Sequence, residues 1–155
     1  MPDGSSTGIG VSVKRKEDYR FLVGEGNYTD DINRPNQTYS YMLRSSSAHA
    51  KFTVDTSNAS KSNGVVKIFV GSDMDVGSIP CGWQVDSKDG TPMREPAHPP
   101  IAKDKVKYVG EILAVVIAET LDDAKNAAEL IEVNYEDIPV IMNMKDAVDS
   151  SNGLV

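Results

Sequence analysis

The sequence predicts an α/β domain of the α+β type, with a mixed β-sheet and helices packed on it. Three features carry the prediction. The run Ile112-Leu113-Ala114-Val115-Val116-Ile117-Ala118 is continuously apolar and rich in β-branched residues, the pattern of a central strand covered on both faces. Leu121, Ala124, Ala127, Ala128 and Ile131 then share one helical face. Period-two stretches surround this pair: Tyr39, Tyr41 and Leu43, then Phe52 and Val54, then Glu132-Val133-Asn134-Tyr135. Alternating strands and helices in this order give an α/β or α+β domain.

The elements follow in order. Residues 1–10 are Gly/Ser-rich and read as a mobile leader. Residues 15–22 suggest a short helix, ended by Gly24 and Gly26. Residues 28–32 read as a short extended piece, and Asn33-Arg34-Pro35-Asn36 as a turn. A strand is expected over 38–44 and another around Phe52 and Val54. Asp55-Thr56-Ser57 is placed to cap a short helix over 59–62, with Gly64 ending it and the β-rich 65–70 following. Residues 72–104 hold Pro80, Pro92, Pro96, Pro99 and Pro100 and form the loosest stretch. Loops of this length in a domain are usually functional or docked, and the embedded Trp83, Met93 and Ile101 favour docking. Residues 106–109 alternate as a strand, and Gly110-Glu111 turns the chain into the apolar run. Thr120 is an N-cap with Asp123 three residues on, a near capping box. Pro139 stops the last strand, and Asn143 caps a short final helix. The domain is placed over 11–148, with the polar 149–155 read as an inter-domain linker.

Composition limits the function. The 155 residues carry 16 Lys and Arg against 23 Asp and Glu, a net charge of −7. That balance argues against nucleic acid, which demands a basic stripe. The tight basic cluster Lys14-Arg15-Lys16 runs straight into Glu17 and Asp18 and reads as a solvated turn. Cys81 is the only cysteine, so an internal disulfide, a cysteine zinc cluster and iron–sulfur ligation within the chain are all excluded. Neither a signal peptide nor a membrane span is read, the cytoplasm is the expected location, and the sequons at Asn27, Asn36 and Asn58 are taken as chance matches.

Residue by residue, no catalytic set emerges. His49 and His98 are the only histidines, and neither has a ligand spacing such as H-E-x-x-H. Ser45, His49 and Asp55 can be drawn as a hydrolase triad, but no G-x-S-x-G elbow accompanies them. Gly24-Glu25-Gly26 lacks the third glycine of a dinucleotide fingerprint. Cys81 has no neighbouring base to activate it and reads as a buried, inert thiol. Asp30-Asp31 and Asp122-Asp123 read as turn and N-cap acids. Catalytic, cofactor-binding and metal-binding residues are therefore all expected to be none in this chain.

Four segments in series resemble one family. They are Arg20-Phe21-Leu22-Val23-Gly24-Glu25-Gly26-Asn27-Tyr28-Thr29-Asp30-Asp31-Ile32; Leu43-Arg44-Ser45-Ser46-Ser47-Ala48-His49-Ala50 with Val54-Asp55-Thr56-Ser57 and Gly64-Val65-Val66; Lys105-Val106-Lys107-Tyr108-Val109-Gly110-Glu111 running into residues 114–120; and Ala127-Ala128-Glu129-Leu130-Ile131-Glu132-Val133-Asn134-Tyr135-Glu136-Asp137-Ile138-Pro139. Together they look like the N-terminal a/b hammerhead domain of the molybdenum hydroxylase large subunit, the family of aerobic-type carbon monoxide dehydrogenases, xanthine dehydrogenases and aldehyde oxidases. The resemblance runs from about residue 9 to residue 147. It implies a hammerhead domain with no cofactor of its own inside an enzyme that uses molybdopterin, two [2Fe-2S] clusters and FAD to oxidise or hydroxylate a small substrate. It implies as partners the remaining domains of the large subunit, an iron–sulfur subunit and an FAD-binding subunit. The family's basic glutamate lies in a later domain, so Glu111 is not it. Two rivals are a stand-alone binding or scaffold domain of the same fold and a small hydrolase using Ser45 and His49.

Overall fold

Local capping and turn chemistry delimit the elements of the computed structural model, which describes residues 8–10 and 14–149. The leader read over 1–10 and the linker read over 149–155 therefore lie almost wholly outside the described residues. The chain divides into two compact units, Met1–Pro35 and Asn36–Val155.

In the first unit, helix α1 (Asp18–Leu22) is one turn and a half long and too short to stand on propensity. Its C-terminus is fixed by a Schellman motif. Glu25 N–H donates to Arg20 O at 2.9 Å and Gly24 N–H to Phe21 O at 3.3 Å. The motif needs a left-handed residue after the cap, and Gly24 supplies it with φ +78°. Phe21 stacks on Tyr28 with centroids 5.5 Å apart, and the Arg20 guanidinium lies over the Phe21 ring. Residues 28–32 are not extended as expected. Thr29–Asp31 coils into a 3-10 turn because the Asp31 carboxylate accepts the Tyr28 N–H at 2.8 Å, drawing the chain back on itself.

The second unit holds strands β1 (Tyr39–Arg44), β2 (Ala50–Asp55), β3 (Val65–Val70), β4 (Lys105–Val106), β5 (Ile112–Ala118) and β6 (Glu132–Asp137), with helices α2 (Leu121–Glu129) and α3 (Met144–Val148). The expected α/β class is observed, but the single mixed sheet is not. The strands form two sheets, β1-β5-β3 and β4-β2-β6, and every pairing is antiparallel. An unbroken apolar strand is commonest in parallel sheets. Here its cause is different: β5 serves two cores.

The device is a bulge. Leu43 pairs with Ala114 and Arg44 with Ile112, so Leu113 is the extra residue on β5. Its side chain joins Ala50, Phe52, Ala102 and Val106 in the core under β4-β2-β6. Ala114, Val116 and Ala118 instead face Ala124, Ala127, Ala128 and Ile131 in the core beneath α2. The helix presents three alanines there, which lets its backbone approach the strand closely. Val54 and Val133, opposite one another on β2 and β6, pack against both clusters.

The caps act as the residue types dictate. Thr120 Oγ1 accepts the Asp123 N–H at 3.1 Å and donates to the Asp123 carboxylate, opening α2. Asn143 Oδ1 accepts the Lys145 N–H at 2.9 Å and opens α3. Leu121, expected on the buried face of α2, is 41% exposed, because the first turn lies at the rim of the sheet. The strand expected over 106–109 is only Lys105–Val106. Beyond it, Lys107 N–H turns to the Glu111 side chain at 2.6 Å instead of a neighbouring strand. The helix expected over 59–62 is a 3-10 turn at Ala59–Lys61, and Asp55 does not cap it. Asp55 Oδ1 accepts the Ser57 N–H at 2.8 Å and closes an Asx turn ahead of it.

Two predictions follow from this packing. Gly71 sits with its Cα against the backbone of Ala102, where an added Cβ would stand 2.2 Å from the carbonyl oxygen. Gly71→Ala must push the two segments apart, and we expect it to lower stability by about 3 kcal/mol, read from the urea midpoint. The second concerns the Asp55 turn. The Ser57 hydroxyl, and next the Ser57 N–H, hold the Asp55 carboxyl below its ordinary value of 3.8. A depressed folded-state pKa stabilises above the unfolded value, and the contribution is lost as pH falls from about 4 through the folded value. Ser57→Ala should raise the Asp55 midpoint toward the ordinary value in a carboxyl NMR titration. An unchanged midpoint would show that the hydroxyl does not hold it.

Candidate functional site

The second and third sequence segments, far apart in the chain, meet at a polar junction. Residues 44–49 leave β1 and residues 107–111 precede β5, and the two strings are laced by their backbones. Ser45 N–H donates to Glu111 O at 2.8 Å, Gly110 N–H to Ser45 O at 2.8 Å, and the Arg44 guanidinium to Gly110 O at 2.8 Å. Ser46 N–H reaches the Tyr135 hydroxyl at 3.3 Å, and Ser47 Oγ donates to Asp137 Oδ1 at 3.1 Å, tying the junction to β6. Ser45, His49 and Glu111 are the buried polar residues among those described.

None of the three is arranged for nucleophilic catalysis. Ser45 Oγ donates to Ser47 O at 2.8 Å and accepts the Ser47 N–H at 3.1 Å, so its hydroxyl closes a local turn. The His49 Nδ1 lies 2.8 Å from Pro139 O, and its Nε2 is buried with no hydrogen-bond partner. Asp55 is exposed at the opposite end of β2, roughly 17 Å along the strand from Ala50 at about 3.3 Å per residue. A triad needs the base to reach the nucleophile and the acid to orient the base. Here both hydrogen-bonding side chains are directed to the backbone, and the acid is remote.

Glu111 was read in sequence only as half of a tight turn. The fold buries it, with Oε2 accepting the Lys107 N–H at 2.6 Å, so its carboxylate closes the 107–111 turn from inside. A glutamate after glycine and before an apolar strand is weak notice of this, because turn acids are normally solvated. Glu111 also lines a cavity of about 440 Å³ with Val76, Ser78, Lys103, Lys105 and Lys107.

The opposite wall of that cavity is the base of the long 72–104 connection. This connection is internally bonded. Ile79 N–H donates to His98 O at 2.8 Å, His98 N–H to Ser78 Oγ at 2.7 Å, and Lys107 Nζ to Ala97 O at 2.7 Å. The His98 ring lies parallel to Tyr108, centroids 6.1 Å apart. Further out, Asp86 bridges Pro92 and Met93 N–H donates to Val85 O at 3.2 Å. The Glu95 carboxylate accepts from Cys81 N–H and Gln84 Nε2. At the tip, the Thr91 N–H, and next its hydroxyl, hold the Asp89 carboxyl below its usual range. The result is a braced projection with a pinned base. Ile101 is buried, whereas Val76, Ile79, Val85 and Met93 are exposed and Trp83 is 80% exposed. Cys81, expected to be buried, is exposed, because it lies on this projection rather than in either core.

The cysteine count of the chain does not fit a [2Fe-2S] cluster. A [2Fe-2S] cluster takes four thiolates, and the sequence has one cysteine. Among the described residues no three His, Cys, Asp or Glu side chains are placed to hold a metal ion. No described helix is long and apolar enough to cross a membrane.

The His49 geometry gives a test. A carbonyl can only accept, so the 2.8 Å contact to Pro139 O places a ring proton on Nδ1. Long-range ¹H–¹⁵N spectra should show the Nδ1–H tautomer. An Nε2–H tautomer would contradict the buried arrangement.

Comparison with known proteins agrees with this architecture. The family described as "Aldehyde oxidase and xanthine dehydrogenase, a/b hammerhead domain" matches residues 23–139. The large subunit of nicotine 6-hydroxylase from Paenarthrobacter nicotinovorans is 34% identical over 143 residues, which cover 90% of this chain and 17% of that protein. The carbon monoxide dehydrogenase large chain of Afipia carboxidovorans is 32% identical over 143 residues, 92% of this chain and 17% of that one. The crystal structure of quinoline 2-oxidoreductase from Pseudomonas putida 86 superposes with a TM-score of 0.78 at 30% identity, covering 90% of this chain and 18% of that chain. The chain thus spans about one sixth of the length of these relatives. With its two antiparallel sheets, small helices and matched residues 23–139, the chain belongs to the a/b hammerhead domain family of aldehyde oxidases and xanthine dehydrogenases.

Proposed function

We propose that this chain is the N-terminal structural and docking domain of a molybdopterin-dependent oxidoreductase large subunit. Residues 11–148 form the domain, and residues 149–155 lead toward molybdopterin-binding domains. The whole enzyme hydroxylates or oxidises a small substrate in the cytoplasm and passes electrons through [2Fe-2S] clusters to FAD. Catalysis and cofactor binding belong to other parts of that assembly. Cofactors carry the redox chemistry and protein domains position them. This chain contributes positioning.

The observation that carries the reading is the braced projection with exposed Trp83. Hydrogen bonds along residues 78–98 organise a segment whose apolar side chains the domain itself does not cover. A large exposed aromatic on an ordered support is the usual anchor of an interface. The similarity to a large subunit and a large chain, at 34% and 32% identity, supports neighbouring domains and further subunits as the surfaces it meets. The family resemblance names an iron–sulfur subunit among them.

The test is co-purification of the large subunit with its cognate iron–sulfur subunit. We expect Trp83→Ala to weaken association by roughly tenfold or more, the size of a truncated interface anchor, with an unchanged unfolding midpoint. Undiminished association would remove Trp83 from the interface. Failure of the unaltered subunits to associate would remove the docking role.

A further inference from the structure

The cavity between the 107–111 turn and the base of the projection has a charge character opposite to that of the chain. The protein carries a net charge of −7, yet Lys103, Lys105 and Lys107 all line this one space of about 440 Å³. The three lysines lie in and around β4, with Lys103 in the bend before it, Lys105 on it and Lys107 just after it. None of the three ammonium groups is within ion-pair distance of a carboxylate among the described residues, where the recorded pairs are Arg15–Asp18 and Arg20–Glu17.

A second observation is independent of the cavity. Across the β2–β4 ladder, Lys105 stands directly opposite Lys51. Like charges in register destabilise a strand pair. Lys51 has Glu136 opposite it on its other side, so the uncompensated member is Lys105. The acids at the cavity are Asp104 and Glu111, so the three lysines leave the lining with a net charge of +1. Glu111 is buried and already accepts the Lys107 N–H, and Lys107 Nζ already donates to Ala97 O. Lys103 and Lys105 remain as the two cations with no recorded hydrogen-bond acceptor.

The geometry points to a binding site for a small multivalent oxyanion of the phosphate class, held chiefly by Lys103 and Lys105. Size and charge type both select this class. The volume lies at the small end of the roughly 300–1,000 Å³ typical of small-molecule sites. The cations are lysines, compact point charges suited to phosphate. The site is separate from the docking role of Trp83 and does not depend on it.

The probe is pyrophosphate, titrated into the 155-residue chain at constant ionic strength and followed by amide NMR. Saturable shifts confined to residues 76–78 and 103–111 are expected. Lys103→Ala/Lys105→Ala should weaken binding by about tenfold or more, as loss of charge-assisted hydrogen bonds requires, with its remaining spectrum superposing on that of the unaltered chain. Lys67→Ala, which removes a lysine over the Phe69 ring on the other sheet, should bind as the unaltered chain does. Shifts that do not saturate, equal affinity in the double variant, or the same shifts from hexaglutamate would each overturn the site.

Discussion

The structure depends on one strand that faces two cores. β5 is central in its sheet, and its alternating side chains divide between the layer under α2 and the layer under β2. Leu113, at the bulge, lies on the side opposite Ala114, Val116 and Ala118. It is the largest fully buried side chain of the second core. Burying a leucine is worth about 2 kcal/mol, and the small core under β4-β2-β6 has few other large side chains to replace it. Leu113 from β5, with Val54 and Val133 packed against both clusters, therefore ties the two three-stranded sheets together.

The polar junction is a consequence of that arrangement. Where β5 begins, its neighbours from both sheets converge, and their backbone groups leave regular ladders. Those groups must still be paired. Ser45, Arg44, Gly110 and Glu111 pair them, with the Glu111 carboxylate turned inward to accept the Lys107 N–H. The same turn carries Lys107 and Tyr108, which pin Ala97 and His98 at the base of the projection. Core packing, junction and projection are thus linked through residues 107–111. The exposed Trp83 is held out by a support that begins in the core.

Much of this was legible in sequence. The caps at Thr120 and Asn143, the glycine stop at Gly24 and the central position of β5 all follow from local rules that need no partner. The candidate site was legible only in part. The sequence marks 72–104 as a docking stretch from its prolines and its embedded Trp83, Met93 and Ile101; the structure exposes Trp83 and Met93 and buries Ile101. The sequence did not place Cys81 outside, bury Glu111, or gather three lysines around one cavity. Each of these depends on which distant segment lies alongside.

By itself, the sequence determined the central strand β5, the helix α2 after it, the caps at Thr120 and Asn143, the acidic charge balance and, through four segments in series, the family. These rest on spacing and residue chemistry along the chain. Tertiary structure alone decided that the strands form two antiparallel sheets and that the buried His49 ring turns to Pro139 O. The coil at Thr29–Asp31 and the Ser45 turn are local, set by the Asp31 carboxylate and by Ser47. The physical reason for the two tertiary outcomes is common. An apolar run specifies that a strand is covered, but not by what, and a polar side chain specifies that it will be paired, but not with whom. Those partners are set by strand register and by the Leu113 bulge, which no local pattern encodes.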